Sequence, residues 1–231
     1  MKTRISYQIN KETQSHISGV NTLCLADDIL YSGGRDSIVL SSQQGLVYKH
    51  SHWVNDLIVK QDMVISCSSD RSVLVNGTLL ATHKDHVKCL ADFNSDSILS
   101  AGLDKHVFLN NITSQTQHPI HTSTKSIYSI ATHCNSVVTG GPQGVVKVFD
   151  SREQQTMYSD LSLFGHLDTV KAILMDDDFT VITGKCWSLI ECFRFKLFAE
   201  KIAIRRFCLI SSSLPQITKR RAKNTNRRLI R

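Results

Sequence analysis

Ten histidines, seven cysteines and twenty acidic residues are enough material for metal, acid–base or nucleophilic chemistry, so their spacing decides. The densest group is His83, His86 and Cys89. Alternate residues of a strand share a face, so His83 and His86 diverge, and no second cluster completes a four-ligand zinc site. The expectation is therefore no metal and no other cofactor. Asp36, Asp70 and Asp104 could act as acids, but they recur at even spacing, as framework residues do. Catalysis needs unlike groups converging on one pocket. No such set stands out, and no catalytic residue is assigned. Gly140-Gly141-Pro142-Gln143-Gly144 lacks the Lys-Ser/Thr of a phosphate loop and reads as a turn. Asn76-Gly77-Thr78 and Asn111-Ile112-Thr113 match glycosylation acceptors. Met1 to Gln8 does not read as a secretory signal, so both are expected to stay unmodified.

The even spacing of the aspartates belongs to a larger repeat, and such a repeat governs the whole fold. Each unit opens with a His, replaced by Ser in one of five, then three residues and a β-branched residue. A short apolar strand, a polar turn, a second strand, a turn usually bearing Asp, and a third strand follow. Five openings are visible: His16…Val20, His50…Val54, His83…Val87, Ser123…Ile127 and His166…Val170. The turn residues of the first four units are Asp36, Asp70, Asp104 and Gly144. In the second unit the strands are expected over Asp56 to Val59, Met63 to Ser66 and Ser72 to Val75, with a looser fourth over Thr78 to Ala81. The extra length between units falls in polar stretches such as Thr113 to Lys125, where loops are expected to absorb the variation. Four short strands per unit cannot bury both faces of their sheet alone, so the units must stack radially. The predicted fold is all-β, a β-propeller of about five recognisable blades.

The position after each opening β-branched residue is Asn21, Asn55, Lys88, Tyr128 or Lys171. Framework demands would make it uniform. Its variation predicts a mixed polar ring near the propeller rim, open to partners. Trp53, one residue before the second opening, is a candidate aromatic anchor.

The Gly165-His166 opening and the Ser66-Cys67-Ser68-Ser69-Asp70 turn resemble WD repeats. The family's Trp-Asp at the end of the third strand is Phe149-Asp150 in the fourth unit, whereas Ser42, Asn76 and Asn110 stand there in the first three. Non-framework strings carry the resemblance further. Trp53-Val54-Asn55-Asp56, Lys125-Ser126-Ile127-Tyr128-Ser129 and Gly165-His166-Leu167-Asp168-Thr169-Val170-Lys171-Ala172 are similar to the WD-repeat cofactors of ubiquitin-specific proteases. The likeness spans about residues 17 to 184. It implies a non-catalytic scaffold that binds and activates such a protease, with Lys171 in the contact and Asp168 and Thr169 beside it. Trp53, Asn55, Lys88 and Tyr128 complete the partner-binding candidates. His50, His83 and His166 are assigned to the blade framework with Asp36, Asp70 and Asp104. The missing Trp leaves that framework incomplete and implies weaker blades.

Charge divides the chain. Residues 185 to 231 carry 13 Lys/Arg against two Glu, which leaves 14 against 18 for residues 1 to 184. The boundaries read as an N-terminal segment over 1–15, blades over 16–184 and a basic extension over 185–231. The extension reads as helical or disordered, with Trp187 to Ile204 closer to a short amphipathic helix than to strands. The basic cluster over 219–231 makes a nucleic-acid or chromatin adaptor the alternative function. A truncated product is a further alternative, because the repeat stops at Gly184. Five blades would leave two open edges, inviting self-association. Unpaired cysteine spacing and the lack of a long uncharged run point to cytoplasm or nucleus and to no membrane partner.

Overall fold

The computed structural model describes residues 15–152, 156–158, 168–175, 180–185, 190–198 and 201–209. Among the described residues twenty strands make five four-stranded antiparallel sheets, each a simple meander. The first holds β1 Val20–Ala26, β2 Ile29–Gly34, β3 Ile38–Ser41 and β4 Gly45–Lys49. The second holds β5 Val54–Lys60, β6 Met63–Ser68, β7 Ser72–Val75 and β8 Thr78–Thr82. The third runs β9 Val87–Asn94, β10 Ser97–Gly102, β11 His106–Asn111 and β12 Thr116–Thr122. The fourth is β13 Ser129–His133, β14 Ser136–Gly140, β15 Val146–Asp150 and β16 Thr156–Tyr158. The fifth is β17 Val170–Met175, β18 Thr180–Lys185, β19 Ile190–Phe198 and β20 Lys201–Leu209. A 3-10 turn, Pro142–Gly144, joins β14 to β15. Among the described residues no helix is long and apolar enough to cross a membrane.

Tight turns close these hairpins. Asp27-Asp28 and Gln61-Asp62 take positive φ in two-residue loops, as does Asn76-Gly77. Paired positive φ matches the strand twist, and Asn-Gly adopts it readily. After the turn aspartates, Ser37, Arg71 and Lys105 also have positive φ. Asp70 Oδ1 accepts from Ser72 N at 2.9 Å, and Asp104 Oδ1 from His106 N at 3.3 Å. The carboxylate thus holds the backbone two residues on and supports a left-handed residue that is not glycine.

The core is a row of seams between successive sheets. Cys24 and Tyr31 of the first sheet meet Val54, Leu57 and Val64 of the second. Ile65, Cys67 and Val73 of the second meet Val87, Leu90 and Ile98 of the third. Leu99, Ala101 and Val107 meet Ile130, Val137 and Phe149 of the fourth. Val138, Val146 and Val148 meet Val170 and Val181 of the fifth. In β10, Ile98 faces one seam and Leu99 the next, the period-2 alternation of a strand covered on both faces. The opening residues Val54 and Val170 pack on glycines of the preceding sheet. A Cβ on Gly33 would stand 2.5 Å from Val54 Cγ1, and one on Gly140 would stand 2.8 Å from Val170 Cγ1.

Two expectations need correction. Residues 190–198 and 201–209 are strands and complete the fifth sheet, where a helix was expected within a separate extension. Phe193-Arg194-Phe195-Lys196-Leu197 alternates with the period of a strand. The polar stretch after Thr113 is also no simple loop, because it contains β12. β12 is the last strand of its meander, so His118 and Pro119 lie exposed and its polarity is that of an outer strand. The N-terminal 1–14 and the basic 219–231 lie outside the described residues, as does His166.

Candidate functional site

Three units build the same polar relay. His83 Nδ1 lies 2.9 Å from Asp104 Oδ2, and its Nε2 lies 2.7 Å from Ser100 Oγ. His50 stands 3.0 Å from Asp70 and 2.7 Å from Ser66, and His16 stands 2.9 Å from Asp36 and 2.9 Å from Ser32. The order carboxylate, imidazole, hydroxyl is that of a hydrolytic triad. Burial assigns it otherwise: Ser66 and Ser100 are fully buried, so no substrate carbonyl reaches their oxygens. Each relay joins the segment entering a sheet to the turn between its second and third strands. Burial alone would raise the carboxyls of Asp36, Asp70 and Asp104. Their hydrogen bonds and histidine charges outweigh it and hold all three below the usual carboxylate range. Burial lowers His50 in turn, against the pull of Asp70.

The relays take different further partners from unit to unit. Asn110, near the end of the third strand of the third unit, donates through Nδ2 to Ser100 Oγ at 2.8 Å. In the second unit Asn76 turns to the backbone instead, accepting from Val64 N at 2.9 Å. Tyr48 reaches across from the first sheet, its hydroxyl 3.0 Å from Ser66 Oγ. Burial pushes the Tyr48 phenol up to about 12. In the fourth unit Phe149 is fully buried and stacks on His121, with ring centroids 4.3 Å apart.

The five variable ring residues converge. Asn21, Asn55, Lys88, Tyr128 and Lys171 line one cavity of about 270 Å³, together with Asp56, Cys89 and the following residues of the first strands. They sit where β1, β5, β9, β13 and β17 approach one another, central to the array rather than at its outer rim. The ring is not uniformly free. Asn21 Nδ2 donates to Val54 O at 2.8 Å and Asn55 Nδ2 to Val87 O at 2.6 Å, so each pins the next sheet's opening strand. Asn55 Oδ1 then accepts from Lys88 Nζ at 3.4 Å. Lys171 Nζ lies 4.1 Å above the Tyr128 ring, a cation–π contact. Burial lowers the Lys88 ammonium, and the neighbouring Lys171 charge adds to the effect.

Trp53 is 45% exposed and stands outside this cavity, with Arg35 stacked on it at 5.4 Å. Arg35 Nε also donates to Asn21 Oδ1 at 3.1 Å, which ties Trp53 to the cavity mouth. Asp168 is exposed and accepts from Thr169 N. Sequence reading missed Asp56, whose carboxylate accepts from Leu90 N and Leu57 N at 2.9 Å and from Thr22 Oγ1 at 3.2 Å. It thereby joins the first three sheets, and burial pushes its carboxyl up. Cys67 and Cys89 are buried thiols that the same desolvation pushes well up, away from reactivity. Among the described residues no group of three His, Cys, Asp or Glu is placed to hold a metal.

No protein-family profile matches the chain. Among solved structures it is similar to the crystal structure of the computationally designed Ika8 protein, with a TM-score of 0.64 and 23% sequence identity. The match covers 79% of this chain and 60% of that one. The likeness is one of fold, an all-β array of repeated antiparallel sheets, and this chain spans less than two thirds of that protein's length.

Proposed function

We propose that the chain is a non-catalytic WD-repeat scaffold whose five sheets are blades of a β-propeller, and that it docks a ubiquitin-specific protease. The observation that carries this reading is the convergence of Lys88, Tyr128 and Lys171 in one open cavity, while the His, Ser and Asp groups are engaged in framework relays. The residues free to vary thus face a partner. The strings Trp53-Val54-Asn55-Asp56 and Asp168-Thr169-Val170-Lys171 support the choice of partner through their resemblance to WD repeat-containing protein 48. A scaffold of this kind raises protease activity only by binding the active conformation more tightly than the inactive one. Cytoplasm or nucleus is the compartment this reading implies.

Lys171 is exposed, and its ammonium rests on Tyr128. Reversing its charge with Lys171→Glu is expected to weaken co-purification with the protease at least tenfold, as loss of a central charged contact does. Unchanged co-purification removes Lys171 and this cavity from the docking face.

A further inference from the structure

The cavity holds two ammonium groups, Lys88 and Lys171, that make no ion pair among the described residues, although the Asp85 charge acts on Lys88 from farther off. The nearest acid in the wall is Asp56, and its oxygens are taken by Leu57 N, Leu90 N and Thr22 Oγ1. Both amines are positioned in advance: Asn55, itself held by Val87 O, accepts from Lys88, and the Tyr128 ring lies under Lys171. Lys88 loses proton affinity to burial and to the Lys171 charge, a cost that an arriving anion would relieve. A third cation, Arg35, is fixed at the mouth by Asn21 and Trp53.

We propose that this cavity is a carboxylate-binding site that receives an acidic side chain from a peptide segment of a protein partner. The inference rests on the scaffold reading and names the chemistry the partner must present. Two ammonium groups can share one carboxylate through charge-assisted hydrogen bonds. The Asp56 carboxylate in the wall disfavours a phosphate dianion, which carries twice the charge. Arg35 and the face of Trp53 then lie where residues flanking the inserted acid would pass, so the fit is to a short acidic stretch rather than to a lone anion.

The test uses the full chain and a fluorescein-labelled hexaglutamate peptide, read by fluorescence anisotropy at low salt, with thermal melts showing that each variant folds. Lys88→Gln and Lys171→Gln are each expected to weaken binding about tenfold, and Lys88→Arg, which keeps the charge, to retain most of it. Full affinity in the double Gln variant overturns the proposal. So does a loss seen instead in Lys219→Gln/Arg220→Gln/Arg221→Gln, which would place the acid on the basic tail. Free glutarate should compete only weakly; competition equal to the peptide's would mean a small dicarboxylate site and overturn the peptide source. Protease co-purification is scored on the same variants. A double variant that loses hexaglutamate yet keeps the protease leaves the carboxylate site standing and moves the protease elsewhere. One that keeps hexaglutamate and loses the protease does the reverse.

Discussion

His83→Ala tests whether the buried relay is framework. The His83 side chain is fully enclosed and that of Asp104 nearly so. Truncation removes the bond to Asp104, charge-assisted and worth about 1.5 to 3 kcal/mol, and that to Ser100, worth about 1 kcal/mol. It also removes an edge-on contact with the Phe108 ring at 4.8 Å, worth about 0.5 to 1.5 kcal/mol. Asp104 is left holding only the Lys84 and His106 amides at 3.3 Å. A carboxylate stranded in this way makes the total about 3 to 5 kcal/mol. At roughly 2 to 4 °C per kcal/mol for a chain of this size, the melting point falls by roughly 6 to 20 °C. Circular dichroism melts and urea titrations measure it, with exposed Lys84→Ala as a control expected to stay within about 0.5 kcal/mol. A loss below about 1 kcal/mol at an unchanged urea slope would refute the framework assignment, since no other role explains so buried a histidine.

Gly102→Ala should destabilise more than its size suggests, because the new Cβ would stand 2.1 Å from His86 O and 2.9 Å from Val87 Cα. Both contacts are backbone, so we expect at least about 3 kcal/mol in a urea titration, and a loss under about 1 kcal/mol would mean the third sheet can shift freely. Acid should act in two stages. Burial keeps His50 and His121 below their ordinary value, so the unfolded chain binds the extra protons and stability declines as pH falls from about 7 toward 5. The relay aspartates are held below theirs, so their contribution is complete above about pH 4 and is lost beneath it. Melting points from pH 3 to 8 measure both stages. His121→Phe should flatten the first, and a melting point that rises on acidification from pH 7 to 5 would contradict the burial of these rings.

The parts of this fold legible in the sequence are those that recur. His50, His83, Asp70 and Asp104 stand at matched places in successive units, so a framework role could be read without coordinates. Strand starts in the second unit were equally plain: Met63, Ser72 and Thr78 follow directly on their turns. Groups used only once were invisible. Asp56 occupies a position that is Thr22 in the first unit and Cys89 in the third, so no repeat marks it as the carboxylate joining three sheets. Tyr48 lies in one sheet and completes the relay of the next, a contact that a comparison of equivalent positions cannot reveal. The strands over 190–209 were obscured because no turn punctuation separates them and no repeat opening marks them.

The ring residues show why variability alone was an incomplete guide. Variation was taken as freedom, yet Asn21 and Asn55 are committed to the carbonyls of Val54 and Val87. Further round, that service moves one residue on: Ser129 Oγ donates to Val170 O at 3.1 Å, and its neighbour Tyr128 carries Lys171 instead. The requirement is that each first strand be tied to the next, not that one residue type do it at one position. Where an asparagine meets it, the side chain is spent; where a serine next door meets it, the ring position is released. Tyr128 is released on that account and carries Lys171 on its ring, while Lys88 is oriented by an asparagine already committed elsewhere. Positive charge therefore gathers on the side of the cavity lined by the third, fourth and fifth sheets, and it is there that an acidic partner has most to gain.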